Sequence, residues 1–307
     1  MKPLKLIPAF KDYIWGGNRL KTEYKMESEL DRLAEAWVFS CHKDGQSVVA
    51  DGPLAGKTLT EAIEELGEDS LGNNAKEFPF FPILIKLIDA KQSLSVQVHP
   101  SDDYALKHEN QFGKTEMWYI VDCDEGASLY YGFREEISRE EFEKRIEENT
   151  LTEVLNSVSV QKGDCFFIDS GTIHAIGEGI LIAEIQQNSN CTYRVYDYGR
   201  VGADGKPREL HIEKALAVTE TCPPKVAFGK PQSDILAECK YFKVTRHSIE
   251  GEKTLNVGED SFSALLCTDG EAQVDGVDLR AGECVFVPAY YGNLTIMGNA
   301  EILESRV

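Results

Sequence analysis

Gly163-Asp-Cys-Phe-Phe-Ile-Asp169-Ser-Gly171-Thr-Ile-His174 is the stretch on which the fold turns. Its apolar run, Cys165 to Ile168, has the length of a strand and is preceded by a turn glycine. Gly171 then marks a second turn, which presents His174 on the following strand. Outward from this unit the chain repeats the same idiom. Short apolar or alternating runs at Ala36 to Ser40, Gln46 to Ala50, Ile83 to Ile88, Met117 to Val121 and Ile180 to Gln186 are separated by Gly, Asp and Asn. That pattern suits a sandwich or barrel with one buried face per sheet. Helices are few. Thr58-Leu-Thr-Glu61 and Ser138-Arg-Glu-Glu141 fit the capping box and open helices over Glu61 to Leu66 and Arg139 to Asn149, and a third helix is expected from Ile212 to Val218.

Pro223 and Pro224, followed by Gly229-Lys-Pro231, interrupt the chain, and a domain boundary is placed there: residues 1–232 and residues 233–307. The later part contains Gly282-Glu-Cys-Val-Phe-Val-Pro288, an echo of Gly163-Asp-Cys-Phe-Phe-Ile-Asp169. Duplication of one β-fold is the economical explanation. In the second copy Asn293 falls where His174 stands in the first, and His247 is the single histidine beyond Pro231, so a structural domain without metal is expected there.

Upstream of His174, Gln97-Val-His99-Pro100 places Gln97 and His99 on one face of a strand, because alternate residues point the same way. Glu116 opens another expected strand. An amide, two imidazoles and a carboxylate projecting into one interior would suit zinc with a position left for water or substrate. The plainer readings stand beside this one. A lone histidine in a β-protein is more often a hydrogen-bonded structural residue, an amide oxygen is a poor zinc ligand, and Glu116 also reads as one half of a buried ion pair.

The Gly163–His174 segment resembles the second cupin motif, with Asp169 where proline is more common. Together with Tyr13-Ile-Trp-Gly-Gly17, Glu35-Ala-Trp37 with Ser40, Gly113-Lys-Thr-Glu116 and the run from Glu184 through Arg194 to Gly199, the chain to about residue 220 resembles the short form of class I mannose-6-phosphate isomerases. The resemblance implies a mainly β protein of two cupin-type β-barrel (jelly-roll) domains with a few short helices. It implies one zinc per chain held by Gln97, His99, Glu116 and His174, and a pocket lined by Lys114, Glu184 and Arg194. The chain departs from the family in two ways: Asn190 stands where many relatives have Asp, and the large helical insertion of the longer members is missing.

The chemistry of an aldose–ketose isomerase asks for such groups independently. A proton moves between C1 and C2 only if the enediol oxygens are stabilised, which a zinc ion with an open position can do. Lys114, two residues before Glu116, would face the same pocket on an extended strand, where a nearby dication favours proton exchange. Glu184 follows the apolar run Ile180 to Ala183, as a base facing the interior or as a paired charge at the rim. Arg194 offers a planar fork for phosphate or enediolate, or else an ion pair with Asp197. Free histidine ligands would also make zinc binding weaken as pH falls through about 6.5. Two other functions keep the fold: a different metal-dependent cupin enzyme, and a non-enzymatic sugar-binding cupin without need of Lys114 and Arg194 together.

The net charge of -20, from 52 acidic and 32 basic residues in 307, disfavours nucleic acid and anionic membranes as partners. A small sugar phosphate must then be caught by a local cationic cluster. No apolar run approaches the roughly 20 residues of a membrane span, and the start, MKPLKLIPAF, lacks the pattern of a secretory leader. A cytoplasmic monomer or weak homodimer is expected. Eight singly scattered cysteines, with no C-x-x-C pair, read as reduced thiols used mostly in packing.

Overall fold

The computed structural model describes residues 2–202, 205–226 and 228–307. Three open antiparallel sheets make up its body. The six-stranded sheet runs in the order Cys165–Ile168, Glu116–Cys123, Ile180–Gln187, Ile83–Ala90, Glu35–Phe39 and Ala9–Lys11. A five-stranded sheet has the order Leu155–Ser159, Ser128–Phe133, His174–Ala175, Val96–Val98 and Tyr193–Tyr196. An eight-stranded sheet is built mostly from residues beyond 234, and takes in Leu4–Ile7 and Val48–Val49 from the start of the chain. The expected mainly β architecture with few helices is therefore present. The expected pair of closed barrels is not found among the described residues, whose strands form open, stacked sheets.

The six-stranded sheet is the middle layer, and this explains the continuous apolar runs in its sequence. Successive side chains alternate between faces. On the Ile180–Gln187 strand, Leu181, Ala183 and Ile185 join the core shared with the eight-stranded sheet, while Ile180 and Ile182 join the core facing the five-stranded sheet. Glu184 and Gln186 continue that second face, where apolar packing gives way to polar groups. The Glu116–Cys123 strand divides the same way: Met117, Tyr119 and Val121 on one side, Trp118 and Ile120 on the other. A strand buried on both faces shows no hydrophobic alternation, so only its few polar residues report which side is special.

Phe39, Phe262 and Phe286 pack with ring centroids 5.7 to 6.1 Å apart and tie the middle sheet to the eight-stranded one. Each fully buried ring contributes about 1.5–3 kcal/mol of apolar burial. The duplicated turn is visible in the backbone: Gly163 and Gly282, at equivalent places before their strands, both have φ near +89, a conformation that favours glycine. Asn293 lies exposed on the Gly292–Arg306 strand, where Asn256 donates to it.

The helices follow their caps. Thr58 caps Leu59–Leu66 with both halves of the capping box formed, and Ser138 caps Arg139–Glu147, accepting from the Glu141 amide at 3.1 Å. That second helix stops two residues short of Asn149, which turns to φ 56. The third covers Ile212–Val218 as expected. Asp102–His108, a helix not foreseen in the sequence, follows His99-Pro100 after the single residue Ser101. All eight cysteines are free thiols. No helix among the described residues is long and apolar enough to cross a membrane.

Candidate metal centre and substrate pocket

Two cross-strand rows, one on each facing sheet, assemble the site. On the middle sheet the antiparallel register aligns Trp37, Lys86, Glu184, Trp118 and Phe166 across five strands. On the five-stranded sheet it aligns Tyr131, His174, Gln97 and Arg194. Facing sheets lie about 10 Å apart, so long side chains from the two rows meet in the middle.

His99, Glu116 and His174 are buried, with ligand atoms all within 4.8 Å of one another, the one such His/Cys/Asp/Glu group found among the described residues. Nε2 of His99 is 3.6 Å from one Glu116 oxygen, and Nε2 of His174 is 3.5 Å from the other. The Nδ1 atoms are committed elsewhere: His99 Nδ1 donates to the Cys191 carbonyl at 2.9 Å and His174 Nδ1 to the Thr172 carbonyl at 2.8 Å. That assignment leaves both Nε2 lone pairs pointing at the centre, the arrangement metal-ligating histidines adopt. Burial depresses both imidazoles, His99 well below its ordinary value and His174 to about 4, so both are neutral at pH 7. Gln97 adds its amide 3.4 Å from His174 Nε2, and a flipped amide presents the oxygen instead.

Glu116 completes the case for a cation. Its carboxylate is wholly buried and neither oxygen has a partner at hydrogen-bonding angles, although Lys114 Nζ stands 2.6 Å from Oε2. Burial, reinforced by the Glu184 charge, raises its pKa above the ordinary carboxylate range, with Lys114 opposing. A buried carboxylate paired to Lys114 through Oε2, with Oε1 left without a donor, beside two neutral imidazole acceptors is a donor set suited to a divalent cation such as zinc.

Lys114 precedes the Glu116–Cys123 strand rather than lying on it, yet its ammonium reaches the same centre, 3.2 Å from His99 Nε2 and 3.5 Å from Glu184 Oε1. Glu184 is clasped by Lys86 at 3.0 Å and by the Trp118 indole N–H at 3.0 Å. Burial alone would raise its pKa, but Lys114 and Lys86 outweigh burial and bring it down to about 2. Lys86 shows the converse. Burial would strip its proton, and Glu184 and Glu35 hold it above its ordinary range. Trp37 extends the network, donating to Glu35 at 2.7 Å with the Lys86 ammonium 5.3 Å from its ring centre.

Glu35, Lys86, Gln97, Lys114 and Glu184 line a pocket of ≈ 250 Å³ whose other walls include Tyr13, Trp15, Asn190, Arg194 and Arg208. Tyr13 and Trp15 stack at 5.5 Å on one side. A larger hollow of ≈ 670 Å³ near Lys5, Gln273 and Arg280 on the eight-stranded sheet includes none of these residues. Arg194 is not paired with Asp197. Its Nη1 donates to the Glu209 carbonyl at 2.8 Å and its Nε has no hydrogen-bond partner. Asp197 is instead shared by Arg200 and Arg208, with Arg208 Nε at 2.7 Å. Arg194 and Arg208 thus bring two guanidiniums to the pocket wall, and Asp197 neutralises Arg208 in part. Asn190 donates to Asp44 at 3.1 Å.

The sequence reading missed Lys86 and Arg208. Lys86 carried a signal: one lysine inside Ile83-Leu-Ile-Lys-Leu-Ile is a charge that burial forces to find an acid. Arg208 carried none, because it joins Arg194 only through the path of the intervening loop.

A family model described as phosphomannose isomerase type I, catalytic domain, matches residues 4–125, and one described as mannose-6-phosphate isomerase, cupin domain, matches residues 233–307. Mannose-6-phosphate isomerase ManA of Bacillus subtilis is 39% identical, with 100% of this chain and 99% of that protein aligned. The chain belongs to the type I mannose-6-phosphate isomerase family. A mannose-6-phosphate isomerase of Streptococcus mutans is 36% identical over 99% of this isomerase and 98% of its own length. The crystal structure of the mannose 6-phosphate isomerase from Bacillus subtilis superposes on this isomerase with a TM-score of 0.90 at 34% identity, covering 100% of each chain. Activity as a mannose-6-phosphate isomerase follows from these full-length matches.

Proposed function

We propose that this chain interconverts mannose 6-phosphate and fructose 6-phosphate through an enediol, with one zinc ion held by His99, His174, Glu116 and Gln97. The observation that carries the reading is the buried Glu116 carboxylate, with Oε1 without a donor, between two imidazoles whose Nδ1 atoms are already engaged. Zinc bound there would supply positive charge beside the C1 and C2 oxygens of the sugar.

The remaining work falls to the chain's own side chains. Lys114 faces the reacting carbons: its amine takes the proton from C2, becoming the ammonium, and returns it at C1. A second proton passes from the C2 hydroxyl to the C1 oxygen, so every proton stays on the sugar and the reaction is redox-neutral overall. Glu184, clasped between Lys86 and Lys114, holds the Lys114 side chain in place and pairs with the ammonium once the proton is taken up. Arg194 and Arg208, on the pocket wall, receive the phosphate, and their excess positive charge offsets the repulsion of a protein with net charge -20. Tyr13 and Trp15 cover one face of the sugar and exclude water. Residues 1–232 form the catalytic unit of this proposal, and residues 233–307 a β-domain without metal.

The test is isomerase turnover of mannose 6-phosphate by Lys114→Met and Arg194→Lys, each with its zinc content measured. Both variants are expected to keep one zinc per chain and lose turnover.

A further inference from the structure

Asp102 is the hub of a hydrogen-bond network that reaches from the metal-site lysine into the C-terminal cupin segment. It stands three residues after His99, at the start of the Asp102–His108 helix. One oxygen, Oδ1, accepts from the Gly113 amide at 2.8 Å and from the Gln187 side-chain amide at 2.8 Å. The other, Oδ2, accepts from the Tyr241 hydroxyl at 2.8 Å. Gln187 in turn accepts from the Thr115 amide at 2.9 Å, and the Lys114 amide bonds the Pro100 carbonyl at 3.0 Å. Every backbone N–H from Gly113 to Thr115 is thus fixed, two of them through Asp102 or its partner Gln187.

The approach is close. A Cβ on Gly113 would come within 2.4 to 2.7 Å of the backbone of Pro100, Ser101 and Asp102. The Gly113–Thr115 segment therefore lies directly on the turn that follows His99, and the Lys114 side chain leaves it toward His99, Glu116 and Glu184. Tyr241 lies in the segment matched by the cupin domain model, outside the sheets that carry the site. Its ring packs 6.4 Å from Phe78, which is itself 6.5 Å from Phe112, the residue before Gly113.

We infer that Asp102 and Tyr241 are positioning residues for Lys114, and that the C-terminal segment contributes to turnover through the Tyr241 hydroxyl. The inference rests on the role given to Lys114 above. Removing the hydroxyl leaves Oδ2 without that donor and frees the Asp102 side chain to turn, which loosens the Gly113–Thr115 backbone and displaces the ammonium. Displacements of about 1 Å at a reacting group cost on the order of 100-fold in rate.

Tyr241→Phe and Asp102→Asn test this in the zinc-loaded full-length protein, with Lys114→Met alongside. Both variants are expected to lower kcat about 10- to 100-fold with little change in KM and with one zinc per chain retained. Hydrogen–deuterium exchange at the Gly113, Lys114 and Thr115 amides should accelerate, while exchange in the Lys243–Val257 and Gly292–Arg306 strands stays parental. A merely structural tyrosine would instead loosen those strands. Parental kcat and parental exchange at residues 113–115 in Tyr241→Phe would overturn the inference, even if Lys114→Met is inactive. Parental kcat in Lys114→Met would overturn the role of Lys114 itself. If Asp102→Asn does not fold, Tyr241→Phe, which removes one oxygen atom, decides the matter alone.

Discussion

Lys86 and Glu184 stand directly opposite each other on adjacent antiparallel strands, and the lysine ammonium donates to the glutamate at 3.0 Å with both side chains buried. Removing one member of a buried pair leaves the other charge uncompensated, at a cost of about 3–5 kcal/mol. Lys86→Met is therefore expected to lower unfolding free energy by about 3 kcal/mol, and the double variant Lys86→Met/Glu184→Gln to recover part of that loss. Urea unfolding of the zinc-free proteins measures both. Equal stability of Lys86→Met and parent would show that Lys114 alone suffices to hold Glu184.

The same pair shows what was legible in the sequence. The strand carrying Lys86 was readable from its apolar run, but not the register that sets Lys86 against Glu184, because register depends on strands about 100 residues apart in the chain. His99, His174 and Glu116 could be placed in one interior, since each lies in or beside a recognisable strand. Gln97 and His99 could not be resolved so finely: the strand ends at Val98, and His99 sits just past it. The sandwich was legible as short strands with turns. Its open edges and the crossing of Leu4–Ile7 into the C-terminal sheet were not, because local patterning carries no information on which sheet a strand joins.

His99 and His174, buried as neutral acceptors, make the zinc-free protein sensitive to acid. A depressed folded pKa means the unfolded chain binds protons that the native state refuses, so stability is full above about 6.5 and is lost as pH falls toward the folded value, about 4 for His174. His99 acts in the same direction, and Glu116, raised by burial, acts in the opposite one. His42 and His211, also depressed by burial, act with the two buried histidines, so the net effect is a loss of stability as pH falls below about 6.5. Urea midpoints of zinc-free protein at pH 7, 6 and 5 should fall accordingly, and His174→Gln should flatten the slope. A slope unchanged in His174→Gln would remove that residue from the explanation.

Arg194 and Arg208 are expected to matter for the phosphate rather than for folding. Arg194→Lys keeps the charge but loses the fork, and should lower kcat/KM about 30- to 1000-fold, on the order of 2–4 kcal/mol. Arg208→Ala should act mainly on KM. Both should melt within a few degrees of the parent. Near-parental kcat/KM in Arg194→Lys would mark this arginine as a structural cation.

Phe262 joins the middle sheet to the C-terminal sheet through Phe39 and Phe286. Phe262→Ala should cost about 3–5 kcal/mol, and because the core it opens is shared, thermal unfolding should remain a single transition at lower temperature. Two resolved transitions in the parent protein would show that the sheets unfold separately.

The central claim is that zinc at His99, His174, Glu116 and Gln97 is required for sugar isomerisation. The most direct measurement strips the protein of metal, returns zinc in sub-stoichiometric steps, and follows conversion of mannose 6-phosphate to fructose 6-phosphate in a coupled assay. Turnover is predicted to be absent at the start, to rise linearly and to reach a plateau at one zinc per chain, with His174→Ala showing neither binding nor activity. Full turnover by the stripped protein, or by His174→Ala without zinc, would contradict the account.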